Sequence, residues 1–183
     1  MPDVCLAARP STYRPRHVVL RDGRGVTLRP IVEADAAAIV RAFEHLSDQS
    51  RYFRFMQHKK QLDGGALQRG VHPRPGHDFV FVATPAGART VNIVGAAQYV
   101  LAAAGDRKTC EFAITVAEEW RGSGLAGTLL SSLVRRARYD GYQAMEGFVL
   151  AENVAMLALA RRLKFKAEPI RGDATMLRVC RAL

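Results

Sequence analysis

Between residues 119 and 130 the chain reads Glu-Trp-Arg-Gly-Ser-Gly-Leu-Ala-Gly-Thr-Leu-Leu. An apolar run from Cys110 to Val116 precedes it and reads as a strand. The segment itself opens an amphipathic helix over Ser123 to Asp140, with Leu125, Leu129, Leu133 and Ala137 at helical spacing. A glycine-rich turn between a strand and a helix leaves N–H groups uncovered at the helix N-terminus. The peptide dipoles sum there to about half a positive charge, and phosphate is the ligand such an end suits. Gly122, Gly124 and Gly127 have no side chain to hold an anion off, and Arg121 adds a donor at the rim. The plain alternative is a tight turn whose glycines serve geometry alone.

Two further positions can carry chemistry. Within the strand, Cys110, Phe112, Ile114 and Val116 share one face, and Glu111, Ala113 and Thr115 the other. Glu111 is thus a carboxylate on the polar face, able to act as a base or simply to pair with an arginine. Asn153 begins an apolar helix to Leu163, after a strand over Ala144 to Leu150. It suits an N-cap, whatever else it does.

The elements that must position these residues follow from patterning. His17 to Leu20, a turn at Asp22-Gly23, and Val26 to Arg29 read as a hairpin. A helix over Glu33 to Phe43 buries Ile39, Phe43 and Leu46, and Ser47 to Ser50 ends it. Arg51 to Lys60 interleaves basic and aromatic residues, a pattern that can stack bases and hold phosphates. The favoured reading is a helix with Tyr52, Phe55 and Met56 inward and its charges in water. Residues 61–77 read as a surface loop, whose His72 and His77 are too isolated to hold a metal. Strands at Asp78 to Ala83, Thr90 to Leu101 (interrupted at Gly95) and Lys108 to Val116 form an antiparallel meander. Short strands at Glu168 to Ile170 and Thr175 to Cys180 close the chain.

Composition bounds the class. The 183 residues, 49% hydrophobic and 24% charged, suit a soluble globular protein. No apolar run reaches the roughly 18 residues that span a bilayer. Three scattered cysteines have neither metal spacing nor an even count for a disulfide framework, so a reducing cytoplasm is expected. The net charge of +10 attracts polyanions, but the arginines are spread along the chain and much of the excess reads as solvated surface. Residues 1–17, with three prolines, read as an extended or mobile arm before one domain over residues 18–183.

Arg121, Gly124 and Ala126 match Arg/Gln-x-x-Gly-x-Gly/Ala, and the segment resembles the pyrophosphate-binding motif of the GNAT N-acetyltransferase superfamily. Glu152-Asn153-x-x-Met156, running on to Leu163-Lys164-Phe165, resembles the family's second segment, with Lys164 where a helix-ending Gly is usual. A narrower resemblance, to the Pat-type bacterial protein lysine acetyltransferases, rests on Leu28 to Ile31, Leu46 to Phe55, Cys110 to Ala113 and Leu150 to Asn153. The resemblance implies an α+β fold, with a GNAT-like mixed, mostly antiparallel central sheet flanked by helices. It implies acetyl-CoA as co-substrate and no metal. The diphosphate falls to Arg121, Gly122, Ser123, Gly124, Leu125, Ala126, Gly127 and Thr128, and the pantetheine arm to Ile114, Thr115, Val116 and Asn153. Glu111 takes the role of general base. Ala160 lies about where many family members place a tyrosine acid, which leaves the general acid unassigned. The acceptor implied is a lysine of a protein such as an acyl-CoA synthetase. A small amine is the alternative acceptor, and a non-catalytic module binding CoA or nucleic acid is the alternative class. Membrane is not an expected partner, nucleic acid ranks behind the acceptors, and oligomeric state is left open.

Overall fold

A computed structural model describes residues 13–88, 90–102 and 108–183. Its strands are β1 (Arg16–Val19), β2 (Gly25–Pro30), β3 (Phe79–Pro85), β4 (Gly95–Leu101), β5 (Thr109–Val116), β6 (Ala144–Leu150), β7 (Lys166–Ile170) and β8 (Asp173–Ala182). They form one sheet in the order β1-β2-β3-β4-β5-β6-β8-β7. Every neighbouring pair is antiparallel except β5 and β6. The helices are α1 (Ala36–Glu44), α2 (Asp48–Phe55), α3 (Gly64–Val71), α4 (Leu125–Tyr139) and α5 (Val154–Arg162). This is the mixed, mostly antiparallel sheet flanked by helices that the sequence implied. No helix among the described residues is long and apolar enough to cross a membrane.

The two sheet faces divide the helices. Phe79, Phe81, Tyr99, Cys110 and Phe112 pack with Leu125, Leu129 and Leu133 of α4 and Leu159 of α5. Contact is close enough that a Cβ on Gly95 would sit 2.9 Å from a Leu129 methyl. The opposite face puts Val80 and Val82 under α1 and α3, with Ile31, Ala38, Val71 and Ile93.

Several expectations need correction. Residues 64–71 are helix, not loop; Asp63 caps them by accepting from the Ala66 N–H at 2.7 Å. Three glycines in eight residues conceal this helix from propensity arguments. The strand expected from Thr90 starts only at Gly95, and the helix expected to Lys60 stops at Phe55, capped by Met56 at φ 55°. Its charges do not all face water: Arg51 turns back to the Phe43 and Glu44 carbonyls, and Arg54 is half-buried. The last strand runs the ten residues of β8. Of the arm, residues 1–12 lie outside the described residues, as do Cys5 and positions 103–107 of the expected turn. Arg16 and His17 belong to β1, and Tyr13 packs edge-on against Phe81 at 4.7 Å. Lys164, standing where the resemblance leads to a helix-ending Gly, takes φ 65°, a left-handed conformation that costs a residue with a side chain.

Candidate active site

β5 has two unlike edges. It pairs with β4 across Cys110 to Val116. It pairs with β6 only at Thr109, Cys110 and Glu111, after which the strands part. The Phe112 ring sits at the fork, against Gly147; a Cβ there would lie 2.7 Å from it. Beyond Glu111 the β6-facing edge of β5 therefore offers backbone donors and acceptors without a strand partner. A cleft of about 610 Å³ opens from this fork.

The strand leads through a 3-10 turn (Glu118–Trp120) into the glycine loop and α4. Gly122 and Gly124 adopt φ 75° and 95°, a conformation that L side chains rarely take. The first helical bond is Thr128 N–H to the Gly124 carbonyl, and the Ser123 hydroxyl accepts from the Leu125 N–H at 3.2 Å. Among the described residues nothing accepts from the N–H groups of Ala126 and Gly127, the two donors between them. An anion can take both.

Of the expected contacts, Glu111, Ile114, Thr115, Val116, Arg121, Gly122, Gly124, Leu125, Ala126, Gly127 and Asn153 line the cleft. Ser123 and Thr128 do not. The Ser123 hydroxyl is buried and donates to the Trp120 carbonyl at 2.6 Å, and the Thr128 hydroxyl donates to the Gly124 carbonyl at 3.2 Å. Both side chains shape the loop from within. Asn153 caps α5, its Oδ1 accepting from the Met156 N–H at 3.1 Å. Its Nδ2 has no protein acceptor among the described residues and remains available to a ligand.

The cleft also takes in residues that sequence reasoning left unassigned. Arg21, at the β1–β2 turn, lies over the loop: its N–H bonds the Ser123 carbonyl at 3.0 Å. Its Nε is 3.1 Å from where a Gly124 Cβ would stand. Arg54 and Arg162 line the cleft too, so four arginines face it and Glu111 is its one carboxylate among the described residues. The loop is anchored by Glu118, which accepts from Ser47 N–H at 2.9 Å, from Ser47 Oγ at 2.7 Å and from Ser50 Oγ. Arg121 donates to the same Ser50 hydroxyl and stands 3.6 Å from Glu118. Burial pushes the Glu118 carboxyl up, but the Ser50 and Ser47 hydrogen bonds outweigh it and bring it to about 2. The Ser47 to Phe55 segment quoted for the resemblance thus has a structural use, which spacing alone did not reveal.

Glu111 is half-buried at the fork. Burial first, then the charge of Glu146 across the parallel pair, holds its carboxyl above the usual range, with Arg54 opposing. Glu146 is itself fixed by Arg178 Nε at 2.6 Å. Among the described residues no group of three or more His, Cys, Asp or Glu is arranged to hold a metal ion.

Known proteins resemble this arrangement. The family described as Acetyltransferase (GNAT) domain matches residues 26–166. An acetyltransferase of Pseudomonas aeruginosa is 30% identical over 158 residues, 86% of this chain and 84% of that protein. Acetyltransferase Pat of Mycolicibacterium smegmatis is 28% identical over 150 residues, 81% of this chain but 44% of that longer protein. The crystal structure of the GNAT domain of S. lividans PAT superposes with a TM-score of 0.84 at 25% identity, covering 92% of this chain and 97% of that one.

Proposed function

The chain belongs to the GNAT acetyltransferases, a family of acyltransferases, and we propose that it moves an acetyl group from acetyl-CoA to a lysine side-chain amine of a protein, an acyl-CoA synthetase being the acceptor class the Pat resemblance implies. One observation carries the reading. A single strand, β5, holds Glu111 where β6 departs and leads, through the 3-10 turn and the glycine loop, to a helix N-terminus whose Ala126 and Gly127 N–H groups have no acceptor among the described residues. The residues present fit the co-substrate. Arg21, Arg121, Arg162 and the free N–H groups of Ala126 and Gly127 suit a diphosphate; the open edge of β5 and the Asn153 amide suit an amide-containing arm. Acetyl-CoA supplies the activated thioester.

A lysine amine has a pKa near 10.4, so only about one in a few thousand is deprotonated at neutral pH. Glu111, held above the ordinary carboxylate range, is matched to taking that proton. The amine nitrogen bonds the carbonyl carbon as the C–S bond breaks, N–H groups of β5 donate to the carbonyl oxygen, and CoA leaves as thiolate, which takes up the second proton that the nitrogen releases. No tyrosine lines the cleft among the described residues. A thiol pKa near 8.5 makes departure as thiolate acceptable without one. The acceptor class is favoured by the charge: a site selecting a small cationic amine wants several carboxylates, and among the described residues the cleft presents Glu111 alone.

The test is CoA-thiol release from acetyl-CoA across acyl-CoA synthetases and small amines, wild type beside Glu111→Gln. Transfer to a synthetase lysine, reduced about a hundredfold in the variant, is expected. Transfer confined to small amines moves the acceptor to that class; binding of acetyl-CoA without any transfer refutes the enzymatic reading.

A further inference from the structure

On the sheet face away from α4, an apolar cavity of about 190 Å³ lies between α1–α3 and strands β3–β5. Ile39, Phe43, Leu67, Val71, Val80 and Ile93 contribute its walls. Its mouth is partly open to solvent, so it is a recess in the layer of α1–α3 and not a sealed void. It persists because the positions bordering it are small: Ala42, Ala66, Gly70, Ala96 and Ala113. It adjoins the cleft, for Arg54, Phe55, Ala113 and Thr115 line both. Ala113 and Thr115 share the face of β5 that carries Glu111, so this shared wall lies beside the reacting end of the cleft. In that wall Arg54 rests over the Phe55 ring at 4.9 Å, with no hydrogen bond or ion pair among the described residues.

From this shared wall we infer that the cavity receives the acyl chain of thioesters longer than acetyl, up to about six carbons. The inference rests on the acyl-transfer reading and extends it to the donor. An apolar cavity of about 150 Å³ has room for benzene, a molecule of six carbons; at about 190 Å³ this recess has somewhat more. The chemistry is unchanged: the amine N–C bond forms, the thioester C–S bond breaks, and the amine proton passes to Glu111. Only the chain behind the carbonyl lengthens, in place of empty space.

The test compares acetyl-, propanoyl-, butanoyl- and hexanoyl-CoA, by calorimetric binding and by transfer to one acceptor. Each buried methylene is worth about fourfold in affinity, the equivalent of about 0.8 kcal/mol. Hexanoyl-CoA is expected to bind the wild type at least tenfold more tightly than acetyl-CoA. Ala96→Leu and Gly70→Leu fill the cavity; a Cβ at Gly70 meets nothing within 4 Å, so that variant keeps the fold testable. Both are expected to erase the chain-length gain and leave acetyl-CoA binding within about twofold. A wild type that gains nothing with chain length, or a gain that survives in both variants, overturns the inference. Binding is read without turnover, so a chain-length gain with no transfer to any amine sinks the enzymatic proposal alone, and acetyl transfer without the gain sinks this one alone.

Discussion

Under α4 and α5 the sheet presents Phe79, Phe81, Tyr99, Cys110 and Phe112, each at most 5% exposed, to leucines that are fully buried. Under α1–α3 the sheet presents a smaller buried set, a cavity, the half-buried Glu111 and the buried Glu146, with Arg54 of α2 over them. Burying charge and leaving space both cost stability. The sheet tolerates them on one face because the other is close-packed. The same division appears within β5, whose β4 edge is paired along its length and whose β6 edge opens after three residues. Chemistry sits where pairing and packing stop, as expected when functional sites are the places where local rules are broken.

The division is broken most directly by Leu133→Ala. Leu133 is fully buried in the α4 face. Its truncation should cost about 3 kcal/mol, read from denaturant midpoints, while the folded fraction keeps its affinity for acetyl-CoA. A loss of affinity with stability intact would show that the faces do not separate support from function.

Glu111→Gln is the counterpart on the other face. The expected hundredfold fall in turnover corresponds to about 2.7 kcal/mol, without loss of stability. The sign follows from linkage. Folding raises the Glu111 pKa, through burial first and then Glu146, so ionising it costs stability as pH climbs from the unfolded value, near 4.5, through the higher folded one. At pH 7 the glutamine variant should therefore melt at the wild-type temperature or above. The rate of the wild type should rise with pH along a limb displaced above 4.5, and that limb should be absent from the variant. A variant that melts lower and keeps its rate would make Glu111 a structural partner of Arg54.

Sequence reasoning found what one segment decides by itself. The anion loop is legible because positive φ at 122 and 124 demands glycine there. Glu111 is legible because strand alternation separates it from Cys110 and Phe112. The fork is not: nothing in β5 or β6 says that their pairing ends at Glu111. Nor could spacing bring Glu118 to Ser47, 71 residues away, or Arg21 to Gly122, 101 away. The helix α3 was hidden by its own glycines, and with it the roof of the cavity.

Glu118→Gln tests the tie between the α1–α2 corner and the anion loop. The Glu118 carboxyl is brought to about 2 by serine hydrogen bonds that outweigh its burial, so its contribution is present above about pH 4.5 and disappears as pH falls through about 2. Replacement should cost about 2 kcal/mol at pH 7 and far less near pH 2, since the bonds lost are made to a charged group. CoA affinity should fall with it, because Arg121 shares the Ser50 hydroxyl. An equal cost at both pH values would mean that the charge is immaterial and that the tie is only packing.

The smallest effect separates two arginines of one hairpin. Arg21 reaches over the glycine loop, and Arg24 stacks on Trp120 at 4.0 Å and donates to the Glu119 carbonyl at 2.9 Å. Arg21→Ala keeps the backbone bond to Ser123 and removes an exposed cation beside the anion site. The dissociation constant for CoA should rise about fivefold at low ionic strength, with the difference shrinking as salt screens it. Arg24→Ala should instead lower stability by about 1 kcal/mol, the scale of an exposed cation–π contact with its hydrogen bonds to the Glu119 carbonyl and to Asp22, and leave affinity nearly unchanged. Equal losses of affinity from both would mean that the hairpin acts by placing the loop and not by charge. Under the division argued above, two neighbouring arginines of like charge separate into one that binds and one that braces.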